Sequence, residues 1–217
     1  MNNYIIDRQI SIQPGMQIYL LNIDINTGLI NTSIIPARQL DEIGGYTIRK
    51  DANKRLLARS FLYEYLLKQY SVSNFELDYN EYKKPFLKAT PDFHFSFSYA
   101  HDYLLVAISV HKKIGADIEY INPAISIHEI AAELMCPAEL LHFDSLNGNA
   151  INQRVYFFKL FAAKESIIKS FGTGLYFEVK HLNILSDKSF NYLDAGFVYQ
   201  DLGVWMDRYS LAISYEQ

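Results

Sequence analysis

Two long helical patterns, each followed by alternating strands, constrain this chain more than any other feature. The first, "NKRLLARSFLYEYLLKQY", covers 53–70, and the second, "RVYFFKLFAAKESIIKSFG", covers 154–172. "FELDYNEY" and "FHFSFSY" follow the first, and "LYFEVKHLNIL" and "FNYLDAGFVY" follow the second. Apolar and polar residues alternating at period two mark half-buried strands. An echo supports the division: "YLLVAIS" at 103–109 recurs approximately as "YSLAIS" at 209–214, each reading as a buried strand. Helix followed by antiparallel strands, twice, predicts an α+β protein of two pseudo-symmetric halves. Each half is expected to be a long helix packed on a small, mostly antiparallel sheet, with a ligand cleft between the halves. The boundary falls near 110, giving an N-terminal half of 1–110 and a C-terminal half of 111–217. No Pro/Gly-rich linker separates them, so the halves should pack tightly.

The 217 residues suffice for a sizeable core, and a composition that is 50% hydrophobic and 20% charged is ordinary for a globular chain. A formal charge of −4 supplies no global attraction for nucleic acid or an anionic membrane, so any anion site must be local. The single cysteine, Cys136, excludes an intrachain disulfide and suits a reducing compartment. The start, "MNNYIIDRQI", lacks the pattern of a signal peptide, and no apolar run approaches the ~20 residues of a membrane span. A soluble cytoplasmic protein is expected. His94, His101, His111, His128, His142 and His181 show no close pairing with one another or with Cys136, which disfavours a zinc site.

"KKIGADIEYI", 112–121, is a strand pattern carrying two acids one residue apart. Strand side chains alternate faces, so Gly115, Asp117 and Glu119 point one way while Ile114, Ala116 and Ile118 point toward a core. Carboxylates that close repel unless solvated, protonated or bridged by a cation. From the strand alone, a wet sheet face and a cation site both remain open. The second helix adds Glu165 and Lys169 one turn apart, beside an apolar stripe of Phe157, Phe161, Ile168 and Phe171. Their spacing fits a surface ion pair. Three carboxylates with a lysine would equally suit a magnesium ion holding a diphosphate, since magnesium takes few protein oxygens and completes its shell with water and phosphate.

These residues resemble the Sfp-type 4′-phosphopantetheinyl transferases. "IGADIE" is similar to that family's G-x-D-x-E strand and "FFKLFAAKESIIK" to its W-x-x-K-E-[AS]-x-x-K helix. "KDANKRLLAR" resembles its E-D-x-x-R-x-L-L-A stretch, "YKKPF" its G-K-P turn, and "FHFSFSYAHDYLLVAI" its F-N-L-S-H-S segment. The resemblance spans most of the chain, with the motifs in the family's order. It implies two α+β halves with coenzyme A between them, and transfer of phosphopantetheine from coenzyme A to a serine of an apo acyl or peptidyl carrier protein. It further implies Asp117, Glu119 and Glu165 as magnesium ligands, with Glu165 and Lys169 as catalytic residues and Lys169 near the attacked phosphate. Lys54 or Arg55, Lys84, Ser98 and Tyr99 take the positions of coenzyme contacts, and Lys164 precedes the metal glutamate. Glu139 aligns with an acid sometimes assigned as the base, and a helix-surface charge is an equal reading of it. The implied partners are coenzyme A and an apo carrier protein, with neither nucleic acid nor membrane, and a monomer is expected.

The chain departs from the pattern at several positions. Tyr99 replaces a histidine, Phe161 a tryptophan and Lys83 a glycine, while Gln39 and Glu42 stand where relatives often carry basic residues. A phenol offers one neutral hydrogen bond where imidazolium would offer charge. Two alternatives accompany the transferase reading: a non-catalytic relative that binds carrier proteins, and a magnesium-dependent nuclease.

Overall fold

The computed structural model describes residues 4–217, and the first three residues of the opening segment lie outside it. In chain order, β1 (Arg8–Gln13) and β2 (Met16–Asn22) form a hairpin. Short helices α1 (Ile23–Asn26) and α2 (Ala37–Gly44) then lead into the long α3 (Arg49–Tyr70). A small hairpin of β3 (Leu77–Tyr79) and β4 (Pro85–Leu87) precedes β5 (Phe93–Ala100) and β6 (Tyr103–Val110). The chain continues with β7 (Ile114–Tyr120), α4 (Ile127–Leu134), α5 (Pro137–Ser145) and the long α6 (Ala150–Phe171). It closes with β8 (Ser189–Tyr192), β9 (Ala195–Trp205) and β10 (Tyr209–Glu216). Among these elements no helix is long and apolar enough to cross a membrane.

Two four-stranded antiparallel sheets result, ordered β1-β2-β6-β5 and β7-β10-β9-β8. The echoed segments are their counterparts, β6 between β2 and β5, and β10 between β7 and β9. Alternation along the strands sorts the core into layers. On β6, Leu104, Val106 and Ile108 join the cluster under α3, while Leu105 and Ala107 turn to a second cluster. That second cluster also receives Met16, Ile18 and Leu20 from β2, Ile114, Ala116 and Ile118 from β7, and Leu211 and Ile213 from β10. A third cluster lies under α6, around Phe157, Ile167, Phe197 and Ala212. The expected α+β pairing of a long helix with a small antiparallel sheet, made twice, is what folds. The middle layer explains why β6 reads as an unbroken apolar run, since both of its faces are covered.

The helices stop for local reasons. α3 ends at Ser71 in the left-handed region (φ 56°), whose N–H bonds Leu66 O and Leu67 O. α6 starts on Asn149, whose side chain accepts from Asn152 N, and ends at Gly172 (φ 79°). A left-handed residue after the last turn returns N–H groups to carbonyls the helix leaves free.

Candidate functional site

Gly115 sets the geometry. A Cβ there would lie 2.1 Å from Ser166 O and 2.3 Å from Ser170 N, so β7 touches the backbone of α6. The face expected to be either wet or cation-bound is therefore covered by a helix. That contact places Lys169 over Asp117: Lys169 Nζ donates to Asp117 Oδ1 at 2.6 Å and to Ser98 Oγ at 3.0 Å. Ser98, arriving from β5, donates to the same Asp117 oxygen at 2.7 Å. The surface pair expected between Glu165 and Lys169 is replaced by this cross-element pair, because the lysine reaches a buried carboxylate instead. Neighbouring β5 and β7 are stitched further by Ala116 N–H donating to Ser96 Oγ at 3.0 Å.

Asp117 is 2% exposed, and its second oxygen, Oδ2, is buried without a hydrogen-bond partner. Burial pushes its carboxyl up, against the opposing pull of Lys169 and Ser98. Glu119 is pushed up to about 8, first by burial and then by the charge of Asp117. Glu165 is raised by burial and by Asp117 as well. Asp117 thus raises the cost of ionising both Glu119 and Glu165, and Glu165 that of Glu119, a cost a hard cation would relieve. The donor chemistry and the orphaned Oδ2 fit magnesium. Among the described residues, however, no three His, Cys, Asp or Glu side chains converge closely enough to form a ready metal cage.

Beside this cluster a cavity of about 440 Å³ opens between the halves. Lys169 forms one wall and Arg55, Arg59, Lys83 and Lys84 bring further positive charge, among aromatic residues that include Tyr46 and Tyr99. The Arg55 guanidinium sits 4.0 Å from the Tyr46 ring centre and that of Arg59 5.2 Å from the Phe97 ring. Lys54 pairs instead with Asp51 and lies 5.7 Å over the Tyr99 ring, so of the two candidates Arg55 is the one lining the cavity. Burial pushes the Tyr99 phenol up to about 12, leaving it a neutral donor. Arg59 also lines the cavity and makes no ion pair among the described residues; sequence reading gave it no site role, though it ends the "KDANKRLLAR" stretch. Its position one turn beyond Arg55 on α3 was the available signal.

Several expected positions are committed elsewhere. Lys84 Nζ donates to Lys169 O at 2.5 Å and Ile114 O at 3.1 Å, while also bordering the cavity. Gln39 is buried, accepting from Tyr63 OH at 2.5 Å and donating to Phe75 O at 2.9 Å, and also borders the cavity. Glu42 pairs with Arg38 and also borders the cavity. Glu139 is neither a base beside the cavity nor a surface charge. It is wholly buried, 2.6 Å from Lys164 Nζ, and accepts from Cys136 N and Ile184 N, both at 2.9 Å. Lys164 completes the clip by donating to Leu134 O and Val179 O, and burial pulls its pKa down against the charge of Glu139. Phe161 packs near Phe157, with ring centres 6.1 Å apart.

Residues 113–206 match the sequence profile of the 4′-phosphopantetheinyl transferase superfamily. The chain is 35% identical over 136 residues to the 4′-phosphopantetheinyl transferase gsp of Aneurinibacillus migulanus, covering 62% of this chain and 54% of that protein. It is 30% identical over 145 residues to 4′-phosphopantetheinyl transferase Sfp of Bacillus subtilis (strain 168), covering 66% and 62%. Against the L-aminoadipate-semialdehyde dehydrogenase-phosphopantetheinyl transferase of Pongo abelii, identity is 25% over 190 residues, covering 82% and 61%. In these alignments the chain spans 54% to 62% of the relatives' own length.

Proposed function

We propose that this chain, which its match over residues 113–206 makes kin to the 4′-phosphopantetheinyl transferase superfamily, transfers 4′-phosphopantetheine from coenzyme A to a serine of an apo carrier protein. The serine oxygen forms a bond to the phosphorus bearing pantetheine as the pyrophosphate P–O bond breaks. Adenosine 3′,5′-bisphosphate leaves with that bond's electrons, and the serine proton is released to solvent. The observation carrying this reading is the Asp117–Lys169–Ser98 contact at the wall of a cavity that Arg55, Arg59 and Lys83 also line. Magnesium, when bound by Asp117, Glu119 and Glu165, would supply charge neutralisation for the pyrophosphate.

The chain's own groups provide the rest. Arg55 and Arg59 offer guanidinium forks for coenzyme phosphates. The aromatic walls, with Tyr46 at the Arg55 end, suit a flat purine. Tyr99 donates one neutral hydrogen bond to a phosphate. Lys169 is poised to transfer its ammonium from Asp117 toward the phosphate whose charge grows in the transition state, and Ser98 holds it in reach. We place the site with a cytoplasmic monomer that meets its carrier from outside the cleft.

Mass spectrometry of an apo carrier domain incubated with coenzyme A and magnesium tests the reading. A gain of the phosphopantetheine mass, abolished by EDTA, is expected. An unmodified carrier under conditions that load it with a known transferase overturns the activity, and full transfer in EDTA overturns the metal.

A further inference from the structure

The last turn of α6 is capped by a foreign element. Helix ends leave carbonyls without intrahelical partners, and here two are met by the turn between β3 and β4. Asn80 Nδ2 donates to Gly172 O at 2.8 Å, and Lys84 Nζ donates to Lys169 O at 2.5 Å. The turn is itself rigid. Asn80 Oδ1 accepts from Tyr82 N at 3.0 Å and from Lys84 N at 2.8 Å, while Asn80 N donates to Lys84 O at 3.0 Å. Lys84 also reaches Ile114 O at 3.1 Å, so one ammonium ties the hairpin, the start of β7 and the end of α6. Gly172 allows the approach, since a Cβ there would lie 3.2 Å from both Asn80 Nδ2 and Lys84 Cδ. A cation at a helix C-terminus is also favoured by the macrodipole.

The carbonyl that Lys84 holds belongs to Lys169, whose own ammonium meets Asp117 and Ser98. We propose that Lys84 is a positioning residue that fixes the backbone from which Lys169 projects, and is not a coenzyme ligand. This rests on the transferase reading for the role of Lys169. Two of the three ammonium N–H donors are already engaged on the backbone carbonyls of Ile114 and Lys169. Turning to a phosphate would leave those carbonyls unpaired, which opposes a ligand role. Burial, reinforced by Lys113 and Lys169, also pulls the Lys84 pKa down to about 7, which weakens it further as a phosphate partner.

The test compares Lys84→Met, Lys84→Arg and Asn80→Ala, with coenzyme A and an apo peptidyl-carrier domain as probes. Lys84→Met should lower kcat about tenfold or more while the coenzyme A dissociation constant by calorimetry stays within about twofold. Asn80→Ala, which removes the other cap without touching the cationic wall, should shift kcat in the same direction. Lys84→Arg, which keeps charge and donors, should recover part of the loss. Lys84→Met combined with Lys169→Met should be no slower than Lys169→Met alone, because the first acts through the second. A tenfold weaker grip on coenzyme A with unchanged kcat, or fully additive losses in the double variant, overturns the proposal. Hydrogen exchange separates the two readings. If the parent transfers nothing, the transferase reading falls, yet faster exchange at 170–173 in Lys84→Met still supports positioning. Unchanged protection there in Lys84→Met and Asn80→Ala refutes it.

Discussion

Gly115 lacks a side chain because a helix backbone occupies the space, and the substitution most revealing of this is Gly115→Ala. The added carbon would overlap Ser166 O and Ser170 N, neither of which can turn aside as a side chain could. Forced overpacking costs about 1–3 kcal/mol or more, so a clear drop in melting temperature is expected, with Lys169 displaced from Asp117. An unchanged melt would show that α6 can slide. Lys83 is the opposite case, a side chain where glycine would be easier. It sits at φ 68° in the β3–β4 turn, and the left-handed region costs an ordinary residue about 1–2 kcal/mol. Glycine's own entropic cost offsets part of that, so Lys83→Gly should stabilise by about 0.5–1 kcal/mol in urea titration; destabilisation would mean that the lysine makes a compensating contact. The G-x-D-x-E alternation was legible because strand side chains alternate strictly. The contacts of Lys84 and Gln39 with distant carbonyls were not, because a sequence shows a donor but not the acceptor that folding brings to it.

At the scale of elements, α5 and α6 are joined by the Glu139–Lys164 pair, the least legible feature of the fold. "PAELLHF" reads as an amphipathic helix with an outward acid, and "FAAKES" places its lysine beside a proposed metal acid. Only the burial of α5 against α6 reveals that both charges face inward. Removing one partner of a buried pair leaves the other uncompensated and costs about 3–5 kcal/mol. Lys164→Met should therefore be severely destabilised in chemical denaturation. Adding Glu139→Gln should restore part of the loss, since the stranded carboxylate is gone while an oxygen remains for Cys136 N or Ile184 N. Strictly additive losses would show that the two groups do not act as a pair. The two long helices, by contrast, were legible, because patterns of this length outweigh local ambiguity. The strand expected over "LYFEVKHLNIL" is instead a pair of short 3-10 turns, Gly174–Tyr176 and Val179–His181, and the strands that follow α6 begin only at β8. The two sheet orders were only partly legible: the echo marked equivalent strands, but pairing partners are chosen by tertiary packing.

Over the whole molecule, the shared apolar layer makes each sheet dependent on the other. Met16, Ile18, Leu20, Leu105 and Ala107 are covered only when Ile114, Ala116, Ile118, Leu211 and Ile213 meet them. A fragment of residues 1–110 should then bind a hydrophobic dye and give poorly dispersed amide resonances, and adding residues 111–217 should restore dispersion. A well-dispersed spectrum for the fragment alone would show that the halves fold independently. The strand order has a further consequence, for synthesis. In each sheet the strand made last, β6 in one and β10 in the other, is inserted between strands made earlier. A nascent chain emerging from a ribosome can assemble its first sheet once residue 110 has cleared the tunnel. The second sheet has no centre until residue 216 is free. Until then β7 and β9 have no partner between them, and the apolar layer waits half covered, so chaperone contact is expected to persist until residue 216 has cleared the tunnel.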